Sequence, residues 1–260
     1  MDIGSSKPSL AEMKVVKHHL IDVVNPDYHF TAGDFCARAS SASIEINARG
    51  RIPLVVGGTG FYINSFFDGI DEIPDIDENV KKSVAFEYDN GNAELLYEEL
   101  KRVDNEFAAK VHKNDRQRII RGISVFRDSG RSISSYFSTN KNKNYNTFFI
   151  GLYIESELLS KRIDSRVDSM MKKGFVEEVE NLRSMGYDPS LKSMQSIGYA
   201  EINKYIDGFI SLESAVENIK KNTKKYAKKQ MTWFKKNKSV IWFRPEEIQK
   251  IPDSVKKWLN

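Results

Sequence analysis

The sequence predicts an α/β fold built on a parallel sheet, for three reasons. Residues 52–56 form a short, continuous, β-branched run, which is typical of a strand covered on both faces. The glycine-rich turn at 57–60 and an apolar helical pattern through Phe67 follow it directly. Residues 147–154 form a second apolar run of strand character. Strand, glycine loop and helix in this order are typical of parallel α/β proteins.

One strand and one helix are predicted ahead of this unit. Residues 18–24 have the pattern of a short strand, which ends at the turn 25–27. Thr31 is the predicted N-cap of the helix, with Asp34 three residues further on as a variant of the capping box. The run Arg-Gly-Arg at 49–51 is expected to end that helix.

Residues 71–111 change character and predict an inserted helical domain, with 1–70 and 112–260 forming the core. A further helix is expected to start near Asn114 or Asp115, and 138–146 is a polar loop. The C-terminal half is predicted to be mainly helical, with a last strand at 240–243. Its expected helices span residues 156–173, 175–185, 197–205 and 212–236.

Composition excludes several classes of protein. The chain has 260 residues, 29.8 kDa, a mean hydropathy of -0.50 and a net charge of +4. Its longest nearly uncharged stretch, 52–67, is interrupted by polar residues and glycines and is too short to span a bilayer. The N-terminus lacks the apolar core of a secretion signal, so we expect a cytoplasmic protein with no membrane partner. A single cysteine excludes an internal disulfide.

Two features suggest binding of a diphosphate or another anion. The backbone N–H groups of Gly57, Gly58 and Thr59 precede a helix, where an anion is favourably bound, although a tight turn alone would explain the glycines. Arg162 and Arg166 lie four residues apart beside an apolar helical row. They would either clamp a diphosphate or only border a core face.

Two further features suggest nucleic acid. Residues 220–238 contain nine lysines and no Asp or Glu, which favours a phosphate-rich partner over a solvated helix face or a membrane surface. Trp233 in this run would stack on a base or fill the core. Gln117, Arg118 and Arg121 share a helical face that suits phosphates and base edges, or that is merely solvated.

Taken in order, these segments resemble the tRNA dimethylallyltransferase family, the prenyltransferases that modify adenosine 37 beside the anticodon. The resemblance spans essentially the whole chain. Its motifs are Met1-Asp-Ile-Gly-Ser-Ser-Lys-Pro8, His19-Leu-Ile-Asp22, Arg51-Ile-Pro-Leu-Val-Val-Gly-Gly-Thr-Gly-Phe-Tyr62, His112-Lys-Asn-Asp-Arg-Gln-Arg118, Arg162-Ile-Asp-Ser-Arg166, Gln195-Ser-Ile-Gly-Tyr199 and Lys229-Gln-Met-Thr-Trp-Phe234.

The resemblance implies a P-loop NTPase-like core with a swinging inserted domain, and a monomeric enzyme. Dimethylallyl diphosphate would enter a channel, and N6 of a flipped adenine would displace its diphosphate. Thr59 and Arg166 would be catalytic, with Mg²⁺ helping Arg166 to neutralise the diphosphate. Gly57, Gly58 and Arg162 would also hold the diphosphate, and no residue is expected to be a direct metal ligand. The implied tRNA-binding residues are Lys81, Gln117, Arg118, Ile119, Ile120, Arg121, Gln195, Gly198, Tyr199, Lys229, Gln230, Thr232, Trp233, Lys235 and Lys236.

Two departures from the family pattern matter. Gln195 stands where members often carry Arg. The family's P-loop and its general-base Asp precede the segments matched here, and loss of that central strand would leave 52–56 with an unpaired edge. We therefore expect Met1 to be an internal Met of a longer protein, with a genuine truncation of the gene as the other possibility. Two alternatives follow. One is an inactive, poorly stable tRNA-binding remnant, and the other is an adenylate prenyltransferase.

Overall fold

The structure is a computed structural model that describes residues 1–137 and 145–260. These residues divide into two compact units, one of Met1–Phe67 with Asn144–Asn260 and one of Asp68–Lys143. The predicted inserted domain, 71–111, falls inside the second unit, which extends well beyond it. Most of the predicted polar loop, residues 138–144, lies outside the described residues. None of the helices in the described ranges is long and apolar enough to cross a membrane.

The N-terminal part of the first unit contains helices α1 (Leu10–Val15), α2 (Ala32–Ala48) and α3 (Gly60–Asp68). The predicted capping box of α2 is confirmed, since the Thr31 hydroxyl accepts from the Asp34 N–H and the Asp34 carboxylate accepts from the Thr31 N–H. Helices α2 and α3 pack through aromatic rings. Phe35 stacks on Tyr62 with ring centroids 5.3 Å apart.

Two predicted strands are wrong. Residues 18–24 and 52–56 adopt no regular secondary structure, because no strand in the described part of the chain pairs with either of them. The second segment is also not buried as predicted. Ile52, Leu54 and Val56 are 57%, 80% and 83% exposed. A β-branched apolar run forms a strand only where a neighbouring strand supplies its hydrogen-bond ladder.

The second unit is a helical bundle of α4 (Glu78–Glu87), α5 (Ala93–Val103), α6 (Asn105–Ala108) and α7 (Arg116–Ser129). A turn at Tyr88–Asn92, where Gly91 has φ of 95°, separates α4 from α5, and a 3-10 turn at Ile133–Tyr136 follows α7. Val84, Leu96, Leu100 and Ile123 are fully or almost fully buried in its core.

Helix α7 explains why the second unit extends beyond residue 111. It starts after that point, with Asp115 as its N-cap as expected, and it packs on both α4 and α5. Arg127 reinforces this packing with ion pairs of 2.7 Å to Glu87 and 2.7 Å to Glu99. The boundary expected at 111 therefore separated helices that share one core.

The C-terminal half of the first unit confirms the predicted helix order. It contains β1 (Phe149–Leu152), α8 (Ser156–Lys172), α9 (Phe175–Ser184), α10 (Tyr199–Ile206), α11 (Leu212–Phe234), β2 (Val240–Phe243), a 3-10 turn at Pro245–Lys250 and α12 (Ile251–Leu259). The core between α8 and α11 is formed by Val167, Met170, Phe175, Val179, Leu182, Met194, Tyr199, Ile202, Ala215 and Ile219.

The predicted strands at 147–154 and 240–243 are both present, the first shortened to β1. They pair in parallel, with Phe149 opposite Val240 and Leu152 opposite Phe243. These two strands make up the sheet within the described ranges. The unit is thus mixed α/β, with a small parallel sheet and mainly helical packing.

Candidate functional site

The glycine loop, residues 57–60, lies against the C-terminal half of α11. The Gln230 side-chain amide donates to the Gly58 carbonyl oxygen over 3.0 Å. A methyl group at Gly58 would meet Gln230 Nε2 at 2.0 Å, and one at Gly60 would meet the Trp233 ring at 2.2 Å. Any larger residue at these two positions would therefore push the helix side chains away. The structure brings together two features that the sequence placed far apart.

The same loop offers hydrogen-bond donors. The described residues provide no acceptor for the backbone N–H groups of Gly57, Gly58 and Thr59, whereas the Gly60 N–H donates back to the Gly58 carbonyl. The Thr59 carbonyl accepts from the Ile63 N–H and so begins α3, and Thr59 itself is exposed. Unpaired N–H groups ahead of a helix are a favourable place for an anion.

Arg162 and Arg166 both project from α8 into solvent. Neither guanidinium has an ion pair or hydrogen bond with any residue that the structure describes. The apolar row beside them is part of the core, since Ile163 and Val167 are 7% and 2% exposed. This agrees with the expectation that the two arginines border a core face. Two unpaired arginines at the border of a core face remain available for a negatively charged ligand.

The lysine-rich helix is partly neutralised by α8, which the sequence analysis missed. Lys220 lies 2.8 Å from Asp168, and Lys224 lies 2.6 Å from Asp164. The sequence signal for this pairing was the matching four-residue spacing of the two acids on α8 and of the two lysines on α11. The other lysines of the run have no ion pair within the described ranges, and they are exposed: Lys221, Lys225, Lys228, Lys229, Lys235, Lys236 and Lys238. The positive surface is therefore concentrated in the C-terminal half of α11 and just beyond it.

Trp233, Thr232 and Gln230 lie within this positive surface. The Trp233 ring packs on the Gly60 backbone but is still 38% exposed, so it partly fills the core and partly faces solvent. The Thr232 hydroxyl donates to the Lys228 carbonyl. The Gln230 side chain donates to the Gly58 carbonyl, so it links the glycine loop to the positive surface of α11.

The second unit carries a further group of the predicted RNA-binding residues. Gln117 is exposed and Arg121 is half-buried on α7, and Arg118 has only a long 3.5 Å ion pair with Asp115. Lys81 on α4 pairs with Glu78 at 3.3 Å. Arg116 and Arg127 of the same helix are committed to acids of their own unit. The face of α7 with Gln117, Arg118 and Arg121 is nevertheless open, since Gln117 and Arg121 have no polar partner within the described ranges.

Ile119, one of the predicted RNA-binding residues, has a structural role in α7. Its side chain is fully buried in the core of the second unit, and Ile120 packs against the same cluster from a half-buried position. Helical periodicity explains this arrangement, since Ile119 and Ile123 lie four residues apart on one face of α7 and belong to the same core cluster as Leu96 and Leu100. The Ile119 side chain therefore stabilises α7, and a role of Ile119 in binding RNA stays a prediction.

The turn at 195–200 is fixed by polar contacts. Gly198 has φ of 98°, and its N–H donates to the Glu201 carboxylate over 2.7 Å, which in turn accepts from Asn222 of α11 over 2.7 Å. The exposed Gln195 amide donates to the Pro189 carbonyl. Tyr199, a predicted RNA contact, is only 2% exposed, so its ring is part of the core.

Glu178 on α9 is a polar centre that the sequence analysis missed. Its carboxylate accepts from the Tyr199 hydroxyl at 2.6 Å and from three consecutive backbone N–H groups, at 2.8 Å (Asp2), 2.7 Å (Ile3) and 3.3 Å (Gly4). Burial acts to raise its pKa, but these hydrogen bonds outweigh burial and hold the pKa of Glu178 below its ordinary value. Burial, together with the bond to Glu178, raises the pKa of the Tyr199 hydroxyl.

The described residues do not group three His, Cys, Asp or Glu side chains as a metal site. Magnesium commonly binds through one or two carboxylates and the phosphates of a substrate. The donors around the glycine loop are N–H groups and one hydroxyl, which suit an anion and do not by themselves hold a cation. The geometry therefore packs a loop with unpaired backbone N–H groups against the part of α11 that carries exposed lysines.

The chain matches known proteins over most of its length. Residues 1–237 match the family described as IPP transferase. It is 44% identical to a tRNA dimethylallyltransferase of Caldanaerobacter subterraneus subsp. tengcongensis, covering 94% of this chain and 79% of the relative. The chain is also 44% identical to tRNA dimethylallyltransferase 2 of Geotalea uraniireducens, and this match covers 98% of this chain and 83% of the relative.

Solved structures agree with this result. The crystal structure of the full-length tRNA isopentenylpyrophosphate transferase from Bacillus halodurans superposes with a TM-score of 0.71 at 33% identity. The match covers 100% of this chain and 84% of that one. This chain belongs to the IPP transferase family.

Proposed function

We propose that this protein transfers a dimethylallyl group from dimethylallyl diphosphate to N6 of adenosine 37 in tRNA. One observation carries the proposal. The anion-binding glycine loop and the lysine-rich half of α11 are held together in one unit by Gln230 and Trp233. The reaction needs such an arrangement, because an anionic small substrate and a polyanionic acceptor must meet. Membership of the IPP transferase family supports it independently.

The diphosphate would be bound by the glycine loop and by α8. The unpaired N–H groups of Gly57, Gly58 and Thr59 would donate to phosphate oxygens, with the Thr59 hydroxyl as a further donor. Arg162 and Arg166 have no competing acidic partner in the described ranges, so their guanidinium groups are free to contact the same anion.

The chemistry requires stabilisation of the leaving group. The bond from the allylic carbon to oxygen breaks, the diphosphate takes the electron pair, and N6 forms the new bond to carbon and loses a proton. Negative charge therefore grows on the diphosphate, where donors fixed in advance stabilise the transition state. Arg166 and the glycine loop supply these donors. Mg²⁺ would arrive with the diphosphate as its counter-ion.

The tRNA would be bound electrostatically by the exposed lysines of α11. Lys229, Lys235 and Lys236 have no acidic partner within the described ranges, so each would neutralise a phosphate and release a counter-ion. The open face of α7 in the second unit, with Gln117, Arg118 and Arg121, would bind the same RNA. The partly exposed ring of Trp233 is suited to stacking on a base.

The remaining expectations belong to the same proposal. The first unit would form a P-loop NTPase-like core, and the second unit would move over the bound tRNA. The protein would act as a monomer in the cytoplasm. Small-angle scattering of the chain with and without tRNA measures both the molecular mass and any change in the arrangement of the two units.

The test is transfer of a labelled dimethylallyl group to an anticodon stem-loop by the purified 260-residue chain. Arg166→Ala should reduce turnover by about 100-fold, because it removes a donor to the growing charge. Lys161→Ala on the same helix is the matched control, since Lys161 is exposed and already paired with Glu157. Salt-sensitive RNA binding without turnover would favour the remnant, and turnover on AMP but not on tRNA would favour the adenylate enzyme.

A further inference from the structure

The first seven residues form a tightly connected loop, which we call the N-terminal loop. Lys7 pairs with Asp2 at 2.6 Å and, outside the loop, with Asp22 at 2.7 Å. The Ser6 and Lys7 N–H groups donate to the Ile3 and Asp2 carbonyls, 3.1 Å each. Several polar groups of the loop are therefore committed within it or to Asp22.

The backbone around this loop is strained. Within the described ranges, the non-glycine residues with positive φ are Ser6 (53°), Leu20 (62°) and Asp22 (52°). All three lie in the N-terminal loop or in the segment that Lys7 ties to it. Such conformations are unfavourable for residues with a Cβ, and they persist only where surrounding contacts hold them. Strain of this kind is concentrated at functional sites.

Glu178 attaches the loop to the turn 195–200. Its Oε2 accepts from the N–H groups of Asp2 and Ile3, while its Oε1 accepts from Gly4 and from the Tyr199 hydroxyl. Gly4 is needed for this approach, because a Cβ there would lie 2.3 Å from the Phe175 ring and 2.6 Å from the Tyr199 ring. One carboxylate thus joins three parts of the chain, the loop, α9 and the start of α10.

The solvent side of this arrangement carries polar groups beside one exposed apolar side chain, Ile197. Ser6 is exposed, and its hydroxyl has no partner among the residues that the structure describes. Gln195 is exposed on the turn, with its amide N–H engaged by Pro189 and its side-chain oxygen open. Hydroxyl and amide groups on a rigid backbone suit the phosphates and sugar hydroxyls of an RNA loop.

We propose that Glu178 is a positioning residue for RNA binding, which fixes the N-terminal loop to Tyr199 so that the loop and the turn 195–200 bind the acceptor RNA as one preformed surface. This inference rests on the proposed function. A surface that is already ordered avoids the entropy cost of ordering it on binding, so loss of Glu178 should weaken RNA binding without removing any direct contact.

The experiment compares wild type, Glu178→Ala, Glu178→Gln and Tyr199→Phe in the full chain, with Glu177→Gln as the control. Glu177 is the exposed neighbour on α9. Two quantities are measured, the hydrogen exchange of the amides of residues 2–4 and the affinity for an anticodon stem-loop. Steady-state KM values for RNA and for dimethylallyl diphosphate are measured in parallel.

Glu178→Ala should expose the amides of residues 2–4 to exchange and weaken RNA binding by about tenfold, with the KM for dimethylallyl diphosphate unchanged. Glu178→Gln keeps one acceptor oxygen, so it should retain part of the amide protection and part of the RNA affinity that Glu178→Ala loses. Tyr199→Phe keeps the buried ring and removes one hydrogen bond, so it should show a smaller loss of the same kind even if Glu178→Ala fails to fold.

Two results would overturn this inference and leave the proposed function intact. In one, the exchange of residues 2–4 rises while RNA affinity equals that of wild type. In the other, RNA affinity falls while those amides stay protected. Absence of RNA binding by the wild-type chain would instead overturn the proposed function and the inference with it. A fall in kcat with both KM values unchanged would show a merely structural role.

Discussion

Replacing Gly60 by Ala is the sharpest test of the contact between the glycine loop and α11. The added Cβ would lie 2.2 Å from two atoms of the Trp233 ring, Cδ1 and Nε1. Gly60 does not have a left-handed backbone conformation, so the backbone itself accepts alanine. Only the contact with Trp233 opposes the change, and the ring must move away.

The size of the effect follows from the burial of that ring. Trp233 is 38% exposed, so more than half of the ring is covered. Driving it into solvent would uncover roughly 100 Å² of apolar surface, which corresponds to about 2.5 kcal/mol. Alanine in a helix recovers at most about 1 kcal/mol relative to glycine. We therefore expect a net loss of about 1–2 kcal/mol in the free energy of unfolding.

Chemical denaturation followed by tryptophan fluorescence measures this loss. Gly57→Ala is the matched control, since a Cβ at Gly57 meets nothing within 4 Å and its backbone is not left-handed. We expect Gly57→Ala to be as stable as wild type. Equal stability of the two variants would refute the packing of Trp233 on Gly60, and so would a loss in Gly60→Ala that persists unchanged in a Trp233→Ala background.

Three further predictions concern charge, core packing and pH. Lys229→Ala should reduce the slope of log RNA affinity against log salt concentration by about 1. Lys220→Ala should leave this slope unchanged, because Asp168 already pairs with Lys220. RNA titrations at several salt concentrations measure both slopes. Ile119→Ala should cost about 2–5 kcal/mol of stability, because its side chain is fully buried, and an unchanged melting temperature would contradict this placement. Since the pKa of Glu178 is lowered from 4.5 on folding, its stabilising effect should be complete above pH 4.5 and lost as the pH falls through the lowered value. Protection of the amides of residues 2–4 should follow the same course in acid, and equal protection at low and neutral pH would argue against it.

Local sequence signals predicted most helices of this protein, because their causes are local. The N-cap at Thr31 needs only Asp34 three residues away, and the cap at Asp115 needs only the next turn of α7. The same applies to the four long helices after β1, whose apolar rows repeat at helical spacing. Their ends were predicted to within a few residues.

Strands and domain limits were harder to predict because their causes are remote in sequence. Residues 52–56 have every local property of a buried strand, yet in the described structure they lack a partner strand, and Ile52, Leu54 and Val56 are exposed. Helix α7 was predicted to belong to the core domain, but its residues share a core with Leu96 and Leu100 in the second unit. A hydrogen-bond ladder or a shared core depends on which segments meet.

For the site, the sequence alone determined the residue types: a glycine loop, two arginines four apart and a lysine-rich helix that together resemble one enzyme family. Only the tertiary structure decided which charges are free and which groups touch. It paired Lys220 and Lys224 with acids of α8, placed Ile119 and Tyr199 in cores, and brought Gln230 to the glycine loop. The reason is physical: charge neutralisation and burial depend on distances across the fold, which residue order does not contain.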